Sequence, residues 1–290
     1  MSWRVVVVSN SAKLDYQMGY LTVRQNTTTK IHLSEISILM VESTAVSMTA
    51  YLLNELMKKK IKVIFCDEKR NPSSELVPFY GCHDTSMKMR NQIEWSADSK
   101  TAIWTEIVAE KIRKQAEVLQ MYDKEEYKML NGYVEELQFG DSTNREGHAA
   151  KVYFNSLFGM DFTRTSENSI NAALNYGYGI ILSAFNREIV ANGYSTQLGL
   201  FHDNMFNQFN LGSDLMEPFR PVIDRKVKEM QPEKFEHEEK MQVLAVLNEE
   251  VAIGGKKEYV NNAIKIYCKS IFDALNDKDL SLIKFYRNEL

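Results

Sequence analysis

Cysteine is scarce and unpaired in this chain. Three cysteines, Cys66, Cys82 and Cys268, stand among 290 residues with no CxxC spacing. That pattern excludes a disulfide framework and a cysteine-built zinc site, so any bound metal is expected to have oxygen and imidazole ligands. The phosphate-binding run GxxxxGK[ST] is absent, which disfavours a P-loop enzyme. So is any apolar run approaching the roughly 20 residues that cross a bilayer. The start, MSWRVVVVSNSAK, lacks a basic segment ahead of an apolar core and a small-residue cleavage site. We therefore expect a soluble, cytoplasmic protein with no membrane partner. Positive charge is not in excess either: 35 Lys and Arg against 39 Asp and Glu leave a formal net charge of −4. The imbalance is local, with 10 basic and 7 acidic residues in 1–80 against 25 and 32 in the remainder. Any DNA contact must then use local arrangement or an assembly, not an overall basic coat.

What is present is a folding chain. Hydrophobic residues make up 44% and aromatics 11%, too much for disorder and enough for two domains with separate cores. The spacing predicts an α+β protein with a small β-rich N-terminal domain and a larger all-α C-terminal one. WRVVVVS, KLDYQ and YLTVRQ around Gly19, TTKIHL, ISILMVE and IKVIFCD are short β-branched runs separated by turn residues, and VVVV and ILMV look buried on both faces. One helix is expected among them, from about Ala45 to Lys60, with its lysines in the last turn. The stretch 71–84, NPSSELVPFYGCHD, carries prolines, serines and a glycine, and marks the change of composition. We place the β-rich domain at 1–75, a linker at 76–84 and the helical domain at 85–290. Helices are expected over 86–95, 99–121, 124–138, 144–158, 167–192, 215–230, 236–250 and 256–276.

Within the helical part, TQLGLFHDNMFNQFNLGSDLMEPFRPVIDRK (196–226) sets His202 upstream of two acids, Asp214 and Glu217, in apolar and aromatic surroundings. Acids three apart share one face of a helix, and Pro218 and Pro221 allow helix only near its start, placing the acids in or beside a first turn. An imidazole and carboxylates from separate segments can hold a hard divalent cation. Acids in a first turn are also favoured by the helix dipole alone, and a histidine among aromatics can simply pack, so both readings stand. STNREGHAAKVYFNSLFG (142–159) offers Ser142, Thr143 or Asn144 as a cap and Glu146 in the first turn, while His148 reads as a surface or partner histidine. The run 166–194 is too apolar to be solvated all round and should cross the middle of the domain, with Asn171, Asn175 and Asn186 needing hydrogen-bond partners. Beyond Gln231, His237 included, the chain reads as solvated helix and tail.

Together NREGHAAKVYFNSLFG, LNYGYGIILSAF and GLFHDNMFNQFNLGSDLMEPFRPVIDR, behind a β-rich region containing VIFCDEKR, resemble the integrase subunit of the CRISPR adaptation machinery, the Cas-one family. The details look most like its type II-A branch. The resemblance covers essentially the whole chain, and its most specific part is His202 followed by acid-x-x-acid-Pro-Phe-Arg-Pro. It implies a metal-dependent DNA endonuclease and integrase whose catalytic and metal-binding residues are Glu146, His202 and Glu217, with Asp214 as a supporting second acid. Many members have aspartate where this chain has Glu217, a change of reach and not of charge. It implies Mg²⁺ or Mn²⁺ as cofactor, and Arg145 and Arg220 as candidate phosphate contacts, each of which also fits a structural ion pair. Implied partners are a second copy of the chain, a Cas-two dimer, protospacer and CRISPR repeat DNA, the type II effector nuclease and Csn-two. The reaction implied is attack of a DNA 3′-hydroxyl on a phosphodiester. The same residues also suit a stand-alone nuclease on branched DNA, and a non-catalytic DNA-binding scaffold is the remaining alternative.

Overall fold

Strands dominate the chain as far as residue 76 and helices after it, an α+β arrangement. The computed structural model describes residues 4–68, 70–78 and 82–288. It divides into two compact units, Met1–His83 and Asp84–Leu290. Of the expected linker, residues 79–81 lie outside the described residues.

The first unit runs β1 (Arg4–Val8), β2 (Ala12–Gln17), β3 (Tyr20–Arg24), β4 (Thr28–His32), β5 (Ile36–Val41), β6 (Val46–Met48), α1 (Ala50–Lys58), β7 (Lys62–Cys66) and β8 (Pro72–Leu76). The strands form two four-stranded sheets ordered β1-β5-β7-β8 and β4-β3-β2-β6. β1, β5 and β7 run parallel, and parallel strands need cover on both faces, which their continuous apolar runs supply. β5 is accordingly buried at every position, flanked by a neighbour on each side. β1, at the sheet edge, departs from the expectation: it buries Val6 and Val8 but leaves Val5 and Val7 half-buried. Met18 and Gly19, both at positive φ, turn β2 into β3 with Gln17 opposite Tyr20, the two-residue turn that suits the twist of a hairpin.

One local expectation fails here for a tertiary reason. The helix expected from Ala45 starts at Ala50, because Val46–Met48 pairs parallel with β2 and the Thr49 hydroxyl accepts from the Leu52 N–H as a cap. The stretch opening NPSSEL also carries a strand. Pro72–Leu76 adds antiparallel to β7 as an edge strand, the position in a sheet that tolerates a proline.

The second unit runs α2 (Thr85–Glu94), α3 (Ala97–Met121), α4 (Tyr127–Glu135), α5 (Arg145–Phe158), α6 (Ser169–Ala191), α7 (Asn210–Leu215), α8 (Arg220–Met230), α9 (His237–Leu244), β9 (Glu250–Ile253), β10 (Lys256–Tyr259) and α10 (Val260–Asp277). α6 is buried along most of its length. Gly177 lets α8 and α9 approach it, since a Cβ there would lie 2.4 Å from Ile223 Cγ2 and 3.0 Å from Val243 Cγ1. Its buried Asn171 donates to the carbonyls of Thr163 and Ser166 and accepts from Arg164, which also reaches Asn175.

Beyond Leu244 the structure overturns the reading of continuous helix and solvated tail. The helix expected over 236–250 gives way to a 3₁₀ turn at Ala245–Asn248, and the first residues of the one expected over 256–276 form β10, joined to β9 through Gly254 and Gly255 at positive φ. The tail docks on this hairpin: Arg287 and Ala252 exchange backbone hydrogen bonds of 2.8 and 2.7 Å. Tyr286 is 1% exposed and packs 4.7 Å from the Phe219 ring. Pairing across the β9 edge, invisible to local spacing, drives both departures. Among the described residues no helix is long and apolar enough to cross a membrane.

Candidate functional site

Three parts of the helical unit converge: the middle of α3, the first turn of α5 and the turn joining α7 to α8. Glu146 is placed by an aspartate. The Asp141 carboxylate accepts from the backbone N–H groups of Arg145 at 2.6 Å and Glu146 at 3.0 Å, satisfying two of the four N–H groups that a helix start leaves open. This replaces the expected cap at Ser142, Thr143 or Asn144. Asn144 sits in the left-handed region and its side chain caps nothing.

Glu217 lies beside the first turn of α8, as expected, but in a 3₁₀ turn of its own, Glu217–Phe219, so the helix expected from 215 starts at Arg220. Pro218 and Pro221 supply no N–H, so the chain restarts its helix here instead of running through from α7. Asp214 and Glu217, three residues apart, therefore serve different partners.

Asp214, fully buried, accepts from the backbone N–H groups of Leu200 at 2.6 Å, Phe201 at 3.1 Å and His202 at 3.2 Å, and meets His202 Nδ1 at 2.5 Å. One carboxylate thus shapes the loop and aims the imidazole. With Nδ1 as the donor to Asp214, Nε2 is left to accept a proton or a metal. The loop requires glycine at 199, where a Cβ would lie 2.3 Å from the His202 carbonyl oxygen and 2.8 Å from Asp214 Oδ2. Phe201 stacks on Trp104 at 4.5 Å, and His202 stands edge-on to Trp104 at 5.8 Å. The Asp214 hydrogen bond, outweighing burial, holds the His202 pKa above its ordinary value, and the charges of Asp214, Glu217 and Glu146 add to the effect.

Sequence reasoning missed the residue at the centre. Lys111 on α3 places Nζ 2.5 Å from Glu146 Oε1 and 2.5 Å from Glu217 Oε2. The signal was available: Lys111 falls on the buried face of α3 with Ile107, Lys114 and Val118, at the 4-3-4 spacing of a core stripe. Burial pushes the Lys111 pKa down, but Glu217 and Glu146 outweigh it and hold the ammonium above its ordinary value. Burial likewise pushes Glu217 up, and Lys111 and Arg220 reverse that, leaving its carboxyl below the ordinary range.

Both singled-out arginines are engaged. Arg220 Nε donates to Glu217 Oε1 at 2.8 Å and its guanidinium lies 4.6 Å over the Tyr178 ring, while Arg145 pairs with Glu136 at 2.9 Å. His148 and His237 are exposed and outside the cluster. A cavity of about 210 Å³ adjoins Glu217, lined by Lys111, Gln115, Arg164, Tyr178, Arg220 and Asp224. A larger one, about 1090 Å³, lies between α3, the β9–β10 turn and the tail, and includes none of the cluster.

The donor set fits a divalent cation. Two carboxylates from separate elements share one cationic atom, and Glu217 Oε2, buried beside that charge, makes no aligned hydrogen bond. With Lys111 between them, Glu146, His202 and Glu217 do not bring their ligand atoms within 4.8 Å of one another. Among the described residues the group that does is the consecutive Cys82, His83 and Asp84.

The fold belongs to a known structural class. It is shared with a casposase bound to integration product, at 16% identity and a TM-score of 0.76 over 96% of this chain and 91% of that one. It is shared too with a Cas6-RT-Cas1–Cas2 complex, at 18% identity and a TM-score of 0.72 over 97% of this chain and 36% of the longer one. In sequence, the family described as CRISPR associated protein Cas1 matches residues 5–253. The CRISPR-associated endonuclease Cas1 of Neisseria meningitidis serogroup C (strain 8013) is 35% identical over 229 residues, 78% of this chain and 75% of its own. The chain belongs to the Cas1 family of CRISPR-associated endonucleases.

Proposed function

We propose that this chain is a metal-dependent integrase and endonuclease of CRISPR adaptation, of the type II-A branch, acting in the cytoplasm through a catalytic domain at 85–290. It joins protospacer DNA to the CRISPR array by transesterification. The observation that carries the reading is the meeting of Glu146 and Glu217, from elements far apart in sequence, on a single cationic position. His202 is oriented beside them by Asp214. A Mg²⁺ or Mn²⁺ ion held by Glu146, His202 and Glu217 would lower the pKa of the attacking 3′-hydroxyl and offset charge on the phosphoryl oxygens.

The side chains divide the remaining work. Asp214 holds the His202 proton at Nδ1 and so keeps Nε2 free. Arg220 pins one Glu217 oxygen and leaves the other for the cation. Arg220, on Glu217, and Arg145, next in the chain to Glu146, would meet phosphate by sharing or leaving their present carboxylates. In the reaction a 3′-oxygen forms a new bond to phosphorus, the old P–O bond breaks, and the departing 3′-oxygen takes up the proton lost by the attacker. No covalent bond to the protein is needed.

A second copy of the chain, a Cas2 dimer and protospacer and repeat DNA are the proposed partners, with the type II effector nuclease and Csn-two in the fuller assembly. The casposase with its integration product and the Cas1–Cas2 complex support DNA and Cas2. The test incubates the protein with a Cas2 partner, a pre-spacer carrying free 3′-hydroxyls, a leader–repeat duplex and Mn²⁺, and reads strands on a denaturing gel. Metal-dependent joined product is expected. Cleavage without joining would replace the reading with a stand-alone nuclease, and DNA binding without either product would replace it with a scaffold.

A further inference from the structure

We propose that Lys111 is the resident counter-cation of the metal centre: its ammonium occupies the place a divalent ion takes, holds Glu146 and Glu217 ready in the ion-free protein, and leaves when the ion binds. The inference rests on the metal site proposed above.

The geometry makes the two cations mutually exclusive. Lys111 Nζ lies 2.5 Å from one oxygen of each carboxylate. A Mg²⁺ ion bound through the same oxygens at about 2.1 Å would fall within van der Waals contact of that nitrogen, with two positive charges side by side. The oxygens cannot serve both. Something must nevertheless sit there when no ion does. The Glu217 side chain is 5% exposed and Arg220 reaches only its Oε1. Removing the ammonium would leave the buried Oε2 facing Glu146, with Arg220, on the other Glu217 oxygen, a single cation against two carboxylates, an arrangement that proteins avoid. Lysine suits the role better than arginine. Its charge is a compact point on a flexible stem and commits to no bidentate pair, so it can be withdrawn.

There is a place for it to go. Lys111 and Gln115, one helical turn further on, both line the 210 Å³ cavity beside Glu217. Gln115 Oε1 is buried in this state with no hydrogen-bond partner, an open acceptor within the i,i+4 reach of a lysine on the same helix face. Asp224 lines the same cavity. A short swing of one side chain thus exchanges a carboxylate-bound ammonium for a Gln115-bound one and clears the ion site with no movement of the backbone. Lys111 is a positioning residue in this account. Competition with the ion sets the metal affinity, and the ion-free enzyme stays folded because its carboxylates are never unpaired.

The test uses the full chain freed of metal. Lys111→Met should bind Mn²⁺ on the order of tenfold more tightly than wild type by titration calorimetry, since the ion no longer displaces a competitor. It should melt lower without metal and gain more on adding it. A purely structural lysine would lower stability without tightening the ion. A second measurement needs no variant: acylation of Lys111, followed by mass spectrometry, should be slow without metal and accelerate several-fold at saturating Mg²⁺. Unchanged Mn²⁺ affinity in Lys111→Met, or Lys111 labelling that does not respond to a bound ion, overturns the exchange while leaving the metal site standing. Absence of Mn²⁺ binding to wild type, or binding that survives Glu217→Ala undiminished, overturns the metal site and the exchange together.

Discussion

Four hydrogen bonds end on the Asp214 carboxylate, three of them from consecutive backbone N–H groups and one from His202. Asp214 thus fixes the loop and orients His202, the histidine proposed as a ligand. Asp214→Asn keeps the shape and removes the charge, so the His202 pKa should fall back toward its ordinary 6.5, and Mn²⁺ affinity should drop by about 10–100-fold, the usual cost of losing a partner behind a ligand. A histidine NMR titration and calorimetry check the two halves separately. The raised pKa also carries a sign: His202 adds stability that is fully present below pH 6.5 and lost as pH rises through its folded value. Glu146→Ala, His202→Ala and Glu217→Ala should each abolish strand joining with the fold retained by circular dichroism. Their stabilities should differ. Glu217→Ala leaves the buried Lys111 with Glu146 alone and Arg220 without its carboxylate and should cost about 3 kcal/mol in denaturant melts, whereas Glu146, with a side chain 24% exposed, should cost less. At this scale the acids and the histidine were legible as residue types near punctuating prolines and glycines. Their division of labour was not, since positions 202 and 214 meet through a loop whose path no spacing rule predicts.

At the scale of elements, α6 works because it is narrow where α8 crosses it. Gly177→Ala pushes a Cβ into Ile223 and Val243 and should destabilise by about 1–3 kcal/mol, as overpacking does. Ile223→Val removes a methylene but retains the crowding Cγ2 methyl, so Ile223→Ala is the informative partner. The double variant should lose less than the sum of the two single changes in a melting cycle. Helix existence was readable from the 3.6-residue stripe for most of this unit, the short α7 at Asn210–Leu215 being missed, and misreadings gathered where an element owes its form to a partner. Val46–Met48 is strand because β2 is beside it, and Lys256–Tyr259 because β9 is. The acid cap of α5 is another such case, a residue four positions upstream of the helix reaching forward from a left-handed turn.

For the whole molecule, the acid Asp224 links fold stability to pH. Burial, opposed by the hydrogen bond from Tyr178, the nearby Tyr153 hydroxyl and the charges of Arg220 and Arg164, raises its pKa from 3.8 to about 6. The folded chain therefore keeps this proton to higher pH than the unfolded one, and the Asp224 contribution to stability declines as pH rises from about 4 to about 6 and is level above. At 1.36 kcal/mol per pH unit the decline amounts to about 3 kcal/mol. Asp224→Asn, which keeps an acceptor for Tyr178, should flatten that part of the pH–stability curve in urea melts at successive pH values. The net charge of −4 bears on the same scale: the proposed DNA partner would have to meet locally placed cations, and its affinity should fall steeply and linearly in a log–log plot against salt.

Composition and periodicity by themselves determined the α+β class and the order of β-rich and helical parts, because strands and helices answer to neighbours within a turn or a pleat. The meeting of Lys111, Glu146 and Glu217 was decided only by tertiary structure. These residues lie on three elements separated by tens of residues, and what brings them to 2.5 Å is the packing of α3 against α5 and the α7–α8 turn. That packing is a property of whole buried faces, in which a lysine is admitted only because two carboxylates arrive to meet it.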